Sequence, residues 1–142
     1  MNYLGIDWGM KKIGLALAGG EMKMASPLLV LDHKNIDETL AKIKSIINKE
    51  DIGFIVLGKP VSLSGSENYS GEFNRFAEGL KSLNVQTDLQ DERLSTKYAA
   101  RLKRQFKGHK KIKDDDIAAA AILQSYLDRE FANSKSEAQS PK

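Results

Sequence analysis

Residues 36–58 constrain the fold more than any other stretch of the chain. Ile36, Leu40, Ile43, Ile46 and Ile47 fall at i, i+4, i+7, i+10 and i+11, which is one face of a helix. Asn35 and Glu38 stand where an N-cap and its capping-box partner belong, and the helix is predicted to end near Lys49. The run that follows, Ile52-Gly-Phe-Ile-Val-Leu-Gly58, is apolar without alternation and is bounded by Gly and Pro60. A strand with no polar face has to be covered on both sides, as strands of parallel sheets are. Helix followed by such a strand reads as the second half of a parallel crossover, so the sheet needs helices on both faces.

The rest of the pattern fits that frame. Tyr3 to Asp7 reads as a short strand, and the Gly9 turn leads through Lys11-Lys12 into a second strand, Ile13 to Ala18, as an antiparallel hairpin. Leu28 to Leu31, after Pro27, is a third. Residues 61–69 are rich in Ser and Gly and read as a loop; Phe73, Phe76, Ala77, Leu80 and Leu83 then repeat at helical spacing, and Val85 to Leu89 alternates as a fifth strand. Tyr98, Leu102 and Phe106 mark a helix from near Ser95 into the Gly108 loop. A last helix starts at Asp114 to Asp116 and carries Ile117, Ala120, Ala121, Tyr126, Leu127 and Phe131. The expected architecture is one α/β domain over residues 1–132, a five-stranded mixed sheet of hairpin plus parallel crossovers, with a disordered tail over 133–142.

Composition narrows the chemistry. With 41% hydrophobic and 29% charged residues the chain can build a core, and with no cysteine it has no disulfide, thiolate nucleophile or Cys-ligated zinc. His33 and His109 are too few and too far apart for a histidine metal centre. Any metal is therefore expected to be a hard ion on carboxylates, Mg2+ or Mn2+. No basic leader opens the sequence and no apolar run approaches about 18 residues, so a cytoplasmic, non-membrane protein is expected.

The net charge of +3 hides an asymmetry: residues 97–113 hold eight cations and no acid, while the remainder, with 14 cations and 19 acids, is at −5. A basic block on an acidic protein is the footprint of a phosphate-backbone binder, although a solvated lysine-rich surface has the same composition.

In sheets of this class ligands sit outside the carboxyl ends of the parallel strands. That edge carries Asp7, Lys59 and Asp91-Glu92-Arg93. Each has a plainer reading: Asp7 caps the Trp8-Gly9 turn, the triplet is a loop ion pair, and Asp114-Asp115-Asp116 favours a helix N-terminus through capping and the macrodipole. Were strands one and five neighbours, with the last helix beside them, Asp7, Glu92 and one of the three aspartates would converge. Converging carboxylates repel unless a cation sits among them, and two divalent ions so held can drive phosphodiester displacement.

Four stretches together resemble the YqgF family, relatives of the RuvC-type Holliday junction resolvases with a ribonuclease H-like fold. They are Gly-Ile-Asp-Trp-Gly-Met-Lys-Lys-Ile-Gly-Leu-Ala (5–16), Ile-Val-Leu-Gly-Lys-Pro with Ser-Gly-Ser (55–66), Asp-Glu-Arg-Leu-Ser-Thr (91–96) and Asp-Asp-Ile-Ala-Ala-Ala-Ala-Ile-Leu-Gln-Ser-Tyr-Leu (115–127). Trp8 stands where Tyr is usual, Lys12 where Arg is usual, and Gly19-Gly20 where a Ser-Asp pair is common. The resemblance implies a metal-dependent nuclease with catalytic and metal-binding Asp7, Glu92 and Asp115, the last being nine positions before Gln124. The expected nucleic-acid contacts are Lys11, Lys12, Lys59 and Arg93 near the site, with Lys97, Arg101, Arg104, Lys107, Lys110 and Lys111 further along.

On family grounds the implied substrate is the 5′ end of precursor 16S ribosomal RNA. A junction resolvase acting on branched DNA and a non-catalytic ribosome-assembly module are the alternatives, and the oligomeric state, monomer or homodimer, stays open. Gly-Ile-Asp-x-Gly also opens the phosphate loop of sugar kinases, but those enzymes close on ATP between two such domains, and Gly58-Lys59-Pro60 lacks P-loop spacing.

Overall fold

A computed structural model describes residues 1–21, 23–59, 67–91, 104 and 114–139, with side chains described except at 67–70, 114–115 and 131–139. The strands are β1 (Asn2–Asp7), β2 (Lys12–Ala18), β3 (Ala25–Asp32), β4 (Ile52–Lys59) and β5 (Gln86–Asp91). The helices are α1 (Ile36–Lys49), α2 (Glu67–Lys81) and α3 (Asp114–Gln139).

The five strands form one sheet in the order β3-β2-β1-β4-β5. The β1–β2 and β2–β3 pairs are antiparallel, whereas β1–β4 and β4–β5 are parallel. β4, apolar throughout, lies between β1 and β5. The sequence-based convergence had strands one and five as neighbours, and the sheet corrects this: β4 separates them, because the strand that needs cover on both faces takes the interior place.

Strand alternation divides the core between two faces. Leu4, Ile6, Trp8, Ile13, Leu15, Ile55 and Leu57 pack with α1 and α2 through Ile43, Ile47, Phe73, Phe76 and Leu80. Ala16, Ala18 and Val56 pack on the other face against α3. α1 starts as expected: the Asn35 side chain accepts from the Glu38 N–H at 2.8 Å, satisfying one of the helix's unpaired donors. At its other end the Glu50 N–H donates to the Ile46 carbonyl at 2.8 Å, and Asp51, with φ 51°, turns the chain into β4.

Several boundaries differ from the sequence reading. β3 begins at Ala25, three residues before Leu28; its Pro27 is tolerated on an edge strand, beside a register shift at Leu15/Ala16. α2 begins at Glu67, inside the expected loop, and β5 continues to Asp91. α3 runs to Gln139, through 133–139 of the expected tail. The helix expected from Ser95 lies outside the described residues except for Arg104. Among the described residues no helix is long and apolar enough to cross a membrane.

Candidate active site

Asp7 is the last residue of β1, at the carboxyl edge of the three parallel strands. The register pairs it with Gly14 of β2 on one side and Gly58 of β4 on the other, and Gly58 in turn pairs with Gln90 of β5. This row, Gly14–Asp7–Gly58–Gln90, lies on the α3 face, because Gly5, two residues before Asp7, abuts α3. Asp7 is half-buried, and its register partner on each flank is a glycine.

The helix above lies close to the sheet. A Cβ at Gly5 would stand 2.7 Å from the Leu123 Cβ and 2.9 Å from the Ala119 carbonyl oxygen, and one at Gly58 would overlap the Ile122 δ-methyl. Glycine in a strand interior here marks a close approach of another backbone. The direction of α3 follows from its neighbours. Tyr126 packs on Phe54, which pairs with Tyr3, while Ala119 and Leu123 lie at Gly5. α3 therefore runs antiparallel to β1, and its first turn, with Asp114, Asp115 and Asp116, comes to the carboxyl edge. Asp116 is 3% exposed, an isolation from solvent that the triple-Asp run did not disclose.

Directional bonds hold α3 in place. Gln124 is 9% exposed; its Oε1 accepts from the Ala25 N–H at 2.8 Å and its Nε2 donates to the Lys23 carbonyl at 3.2 Å and to Asp128 at 2.9 Å. Gln90 Nε2 donates to Ser125 Oγ at 3.0 Å, and the Ser125 hydroxyl donates to the Ile122 carbonyl at 2.9 Å. The Tyr126 hydroxyl donates to Asp88 at 2.9 Å; burial first, and then that bond, push the Tyr126 phenol well above its ordinary value and keep it a neutral donor. Two buried polar atoms have no hydrogen-bond partner among the described residues, Trp8 Nε1 and Gln90 Oε1.

Lys11, Lys12 and Lys59 are exposed on the edge that Asp7 occupies, Lys11 in the β1–β2 turn, Lys12 opening β2 and Lys59 closing β4. Arg104 is exposed. Asp115 is in the first turn of α3, with its side chain outside the described residues. Glu92, Arg93, Lys97, Arg101, Lys107, Lys110 and Lys111 also lie outside them. Among the described residues no three carboxylates or histidines gather as a metal site. The donors at this edge are oxygens, the ligand class that Mg2+ and Mn2+ take.

Sequence reasoning missed Gly5, Gly58, Gln90 and Ser125. The glycines inside apolar strands, with the Ala118–Ala121 run on the facing helix, were the signal available for a close approach.

A family model described as RuvX, Holliday junction resolvase, matches residues 1–129. The chain belongs to the RuvX family. A curated Anaeromyxobacter sp. (strain Fw109-5) protein named "Putative pre-16S rRNA nuclease" is 40% identical over 137 residues, covering 93% of this chain and all of that protein. A Rickettsia rickettsii (strain Sheila Smith) protein of the same name is 36% identical over 130 residues, 88% of this chain and 84% of its own. Among solved structures, Thermus thermophilus RuvC in complex with a Holliday junction substrate superposes with TM-score 0.70 at 11% identity, over 92% of this chain and 96% of that one. The fowlpox virus Holliday junction resolvase superposes with TM-score 0.57 at 14% identity, over 91% and 99%. The RuvX chain thus has the RuvC-like, ribonuclease H-type fold.

Proposed function

We propose that this RuvX chain is a metal-dependent nuclease that hydrolyses phosphodiester bonds at the 5′ end of precursor 16S ribosomal RNA, a substrate met in the cytoplasm. The observation that carries the reading is Asp7: a half-buried acid at the carboxyl end of β1, flanked in the sheet by Gly14 and Gly58, at the edge that the aspartate-rich first turn of α3 also reaches.

Asp7, Glu92 and Asp115 would hold Mg2+ or Mn2+. Ala119 lies over Gly5, and four residues of helix span about 6 Å where two residues of strand span about 6.6 Å, which puts position 115 at the height of Asp7. When bound, the metal supplies an activated water and neutralises charge at phosphorus. Lys11, Lys12 and Lys59 hold the polyanion at this edge as point charges, and the block at Arg93, Lys97, Arg101, Arg104, Lys107, Lys110 and Lys111 extends the track along the strand.

The RNA reading is favoured over junction resolution by the curated relatives, which match nearly the whole chain and are named for the ribosomal precursor. The test is cleavage of a 16S leader RNA and of a four-way DNA junction, each with Mn2+. Cutting of the leader at its 5′ end is the expected result. Paired symmetric cuts in the junction alone would replace the RNA reading, and binding of both without cutting would leave a non-catalytic module.

A further inference from the structure

We infer that Gln124, Ser125 and Tyr126 form a polar clasp that fixes the rotation of α3 against both edges of the sheet and thereby fixes the angular position of residue 115 in its first turn, which makes them positioning residues for the reaction. The inference rests on the nuclease reading given above. Three consecutive helical residues point about 100° apart, so together they reach sideways in more than one direction. Gln124 bonds the start of β3, one edge of the sheet. Ser125 and Tyr126 bond Gln90 and Asp88 of β5, the other edge. The middle of the sheet meets α3 through alanine, isoleucine and leucine atoms over Gly5 and Gly58 and through the Tyr126 ring on Phe54, apolar contacts without a directional bond. The edge bonds, at 2.8 to 3.2 Å, supply the missing direction.

Rotation matters because the end of any long side chain stands well out from its helix axis. At a side-chain radius of about 5 to 6 Å, 10° of rotation moves it by about 1 Å, and a misplacement of that size can cost about a hundredfold in rate.

The Gln90 amide shows that the clasp is not simply the most stable filling of this space. The one Ser125 proton goes to the Ile122 carbonyl, so Ser125 Oγ can only accept, and the Gln90 Nε2 must face it. Oε1 is then turned away and buried with no partner among the described residues. An unpaired buried acceptor lowers stability, and an apolar pair of similar shape would avoid the loss. The site keeps the directional bond instead.

The experiment compares wild type with the double variant Gln90→Leu/Ser125→Ala, with Gln124→Leu and with Tyr126→Phe. Three quantities are read: the melting temperature, Mn2+ binding to the free protein by calorimetry, and kcat and KM on leader RNA. The double variant is expected to melt at or above wild type, to keep its KM, and to lose about 10- to 100-fold in kcat and in Mn2+ affinity, the usual range for residues that orient metal ligands. Ser125→Thr, which keeps the hydroxyl, is expected to retain wild-type kcat and Mn2+ affinity. Tyr126→Phe removes one oxygen and carries the test if Gln124→Leu does not fold. Folded variants with wild-type kcat and wild-type Mn2+ affinity would overturn the clasp while leaving the nuclease reading intact. A wild type that neither binds Mn2+ nor cuts would overturn both.

Discussion

Replacing Gly5 by alanine tests the contact on which the site is built. The added Cβ would stand 2.7 Å from the Leu123 Cβ and 2.9 Å from the Ala119 carbonyl oxygen. Neither obstacle can rotate away: one is a β-carbon and the other is helix backbone. α3 must lift from the sheet or β1 must bend. Overpacking a core at fixed backbone costs about 1 to 3 kcal/mol, which for a domain of this size lowers the melting temperature by about 3 to 12 °C. Gly71→Ala is the matched control. It lies within α2 with nothing inside 4 Å of a new Cβ, so alanine is expected to stabilise by about 0.5 to 1 kcal/mol through helix propensity alone. Thermal melts followed by far-UV circular dichroism read both. Gly5→Ala should melt below wild type and Gly71→Ala above it, and only Gly5→Ala should also slow leader cleavage. A Gly5→Ala protein as stable as wild type would refute the close approach of α3.

Three further expectations follow from separate parts of the fold. Asn35→Ala removes the acceptor for the Glu38 N–H and should cost about 1 kcal/mol in urea unfolding, whereas Asn35→Asp should cost little. The Thr39 hydroxyl donates to the Asn35 carbonyl, so the His33 ring donates from Nδ1 to Thr39 Oγ1 at 2.7 Å; burial lowers its pKa from the ordinary 6.5, opposed in part by Glu72. The neutral ring is the folded form, so its stability contribution is complete above 6.5 and is lost as pH falls below that value; urea midpoints at about pH 7.5 and 5.5 should drop less in His33→Gln than in wild type, and equal drops would count against this. If the basic block contacts the backbone, replacing Lys110 and Lys111 by alanine should flatten the log-log salt dependence of RNA binding by about 0.7 to 0.9 per lost contact, and an unchanged slope would remove the block from the interface.

The parts of the fold legible in the sequence were those dictated by local pattern. The i, i+4, i+7 face of α1 with its Asn35 cap, the hairpin around Gly9 and the unbroken apolar run of β4 each declare their element within a few residues. Strand order was less accessible, because alternation says which face a residue takes and not which strand lies next to it; β4 between β1 and β5 emerges only from pairing. The position of Asp7 at the carboxyl edge followed from its place at the end of the first apolar strand. The devices around it did not. Gly5 and Gly58 become meaningful only when α3 lies over them, and Gln90 and Ser125 are unremarkable polar residues until a contact across 35 positions of sequence joins them. Register within Asp114-Asp115-Asp116 was likewise hidden, since three identical residues carry no phase.

The most direct test of the central claim is Mn2+-dependent cleavage of the 16S leader by wild type and by Asp7→Asn, a substitution that keeps the shape of the side chain and removes its charge. Wild type should cut only with the metal present, and Asp7→Asn, folded and still binding the RNA, should fall to background. An Asp7→Asn protein that cuts the leader at the wild-type rate would contradict the assignment of the carboxyl edge of this sheet as the catalytic site.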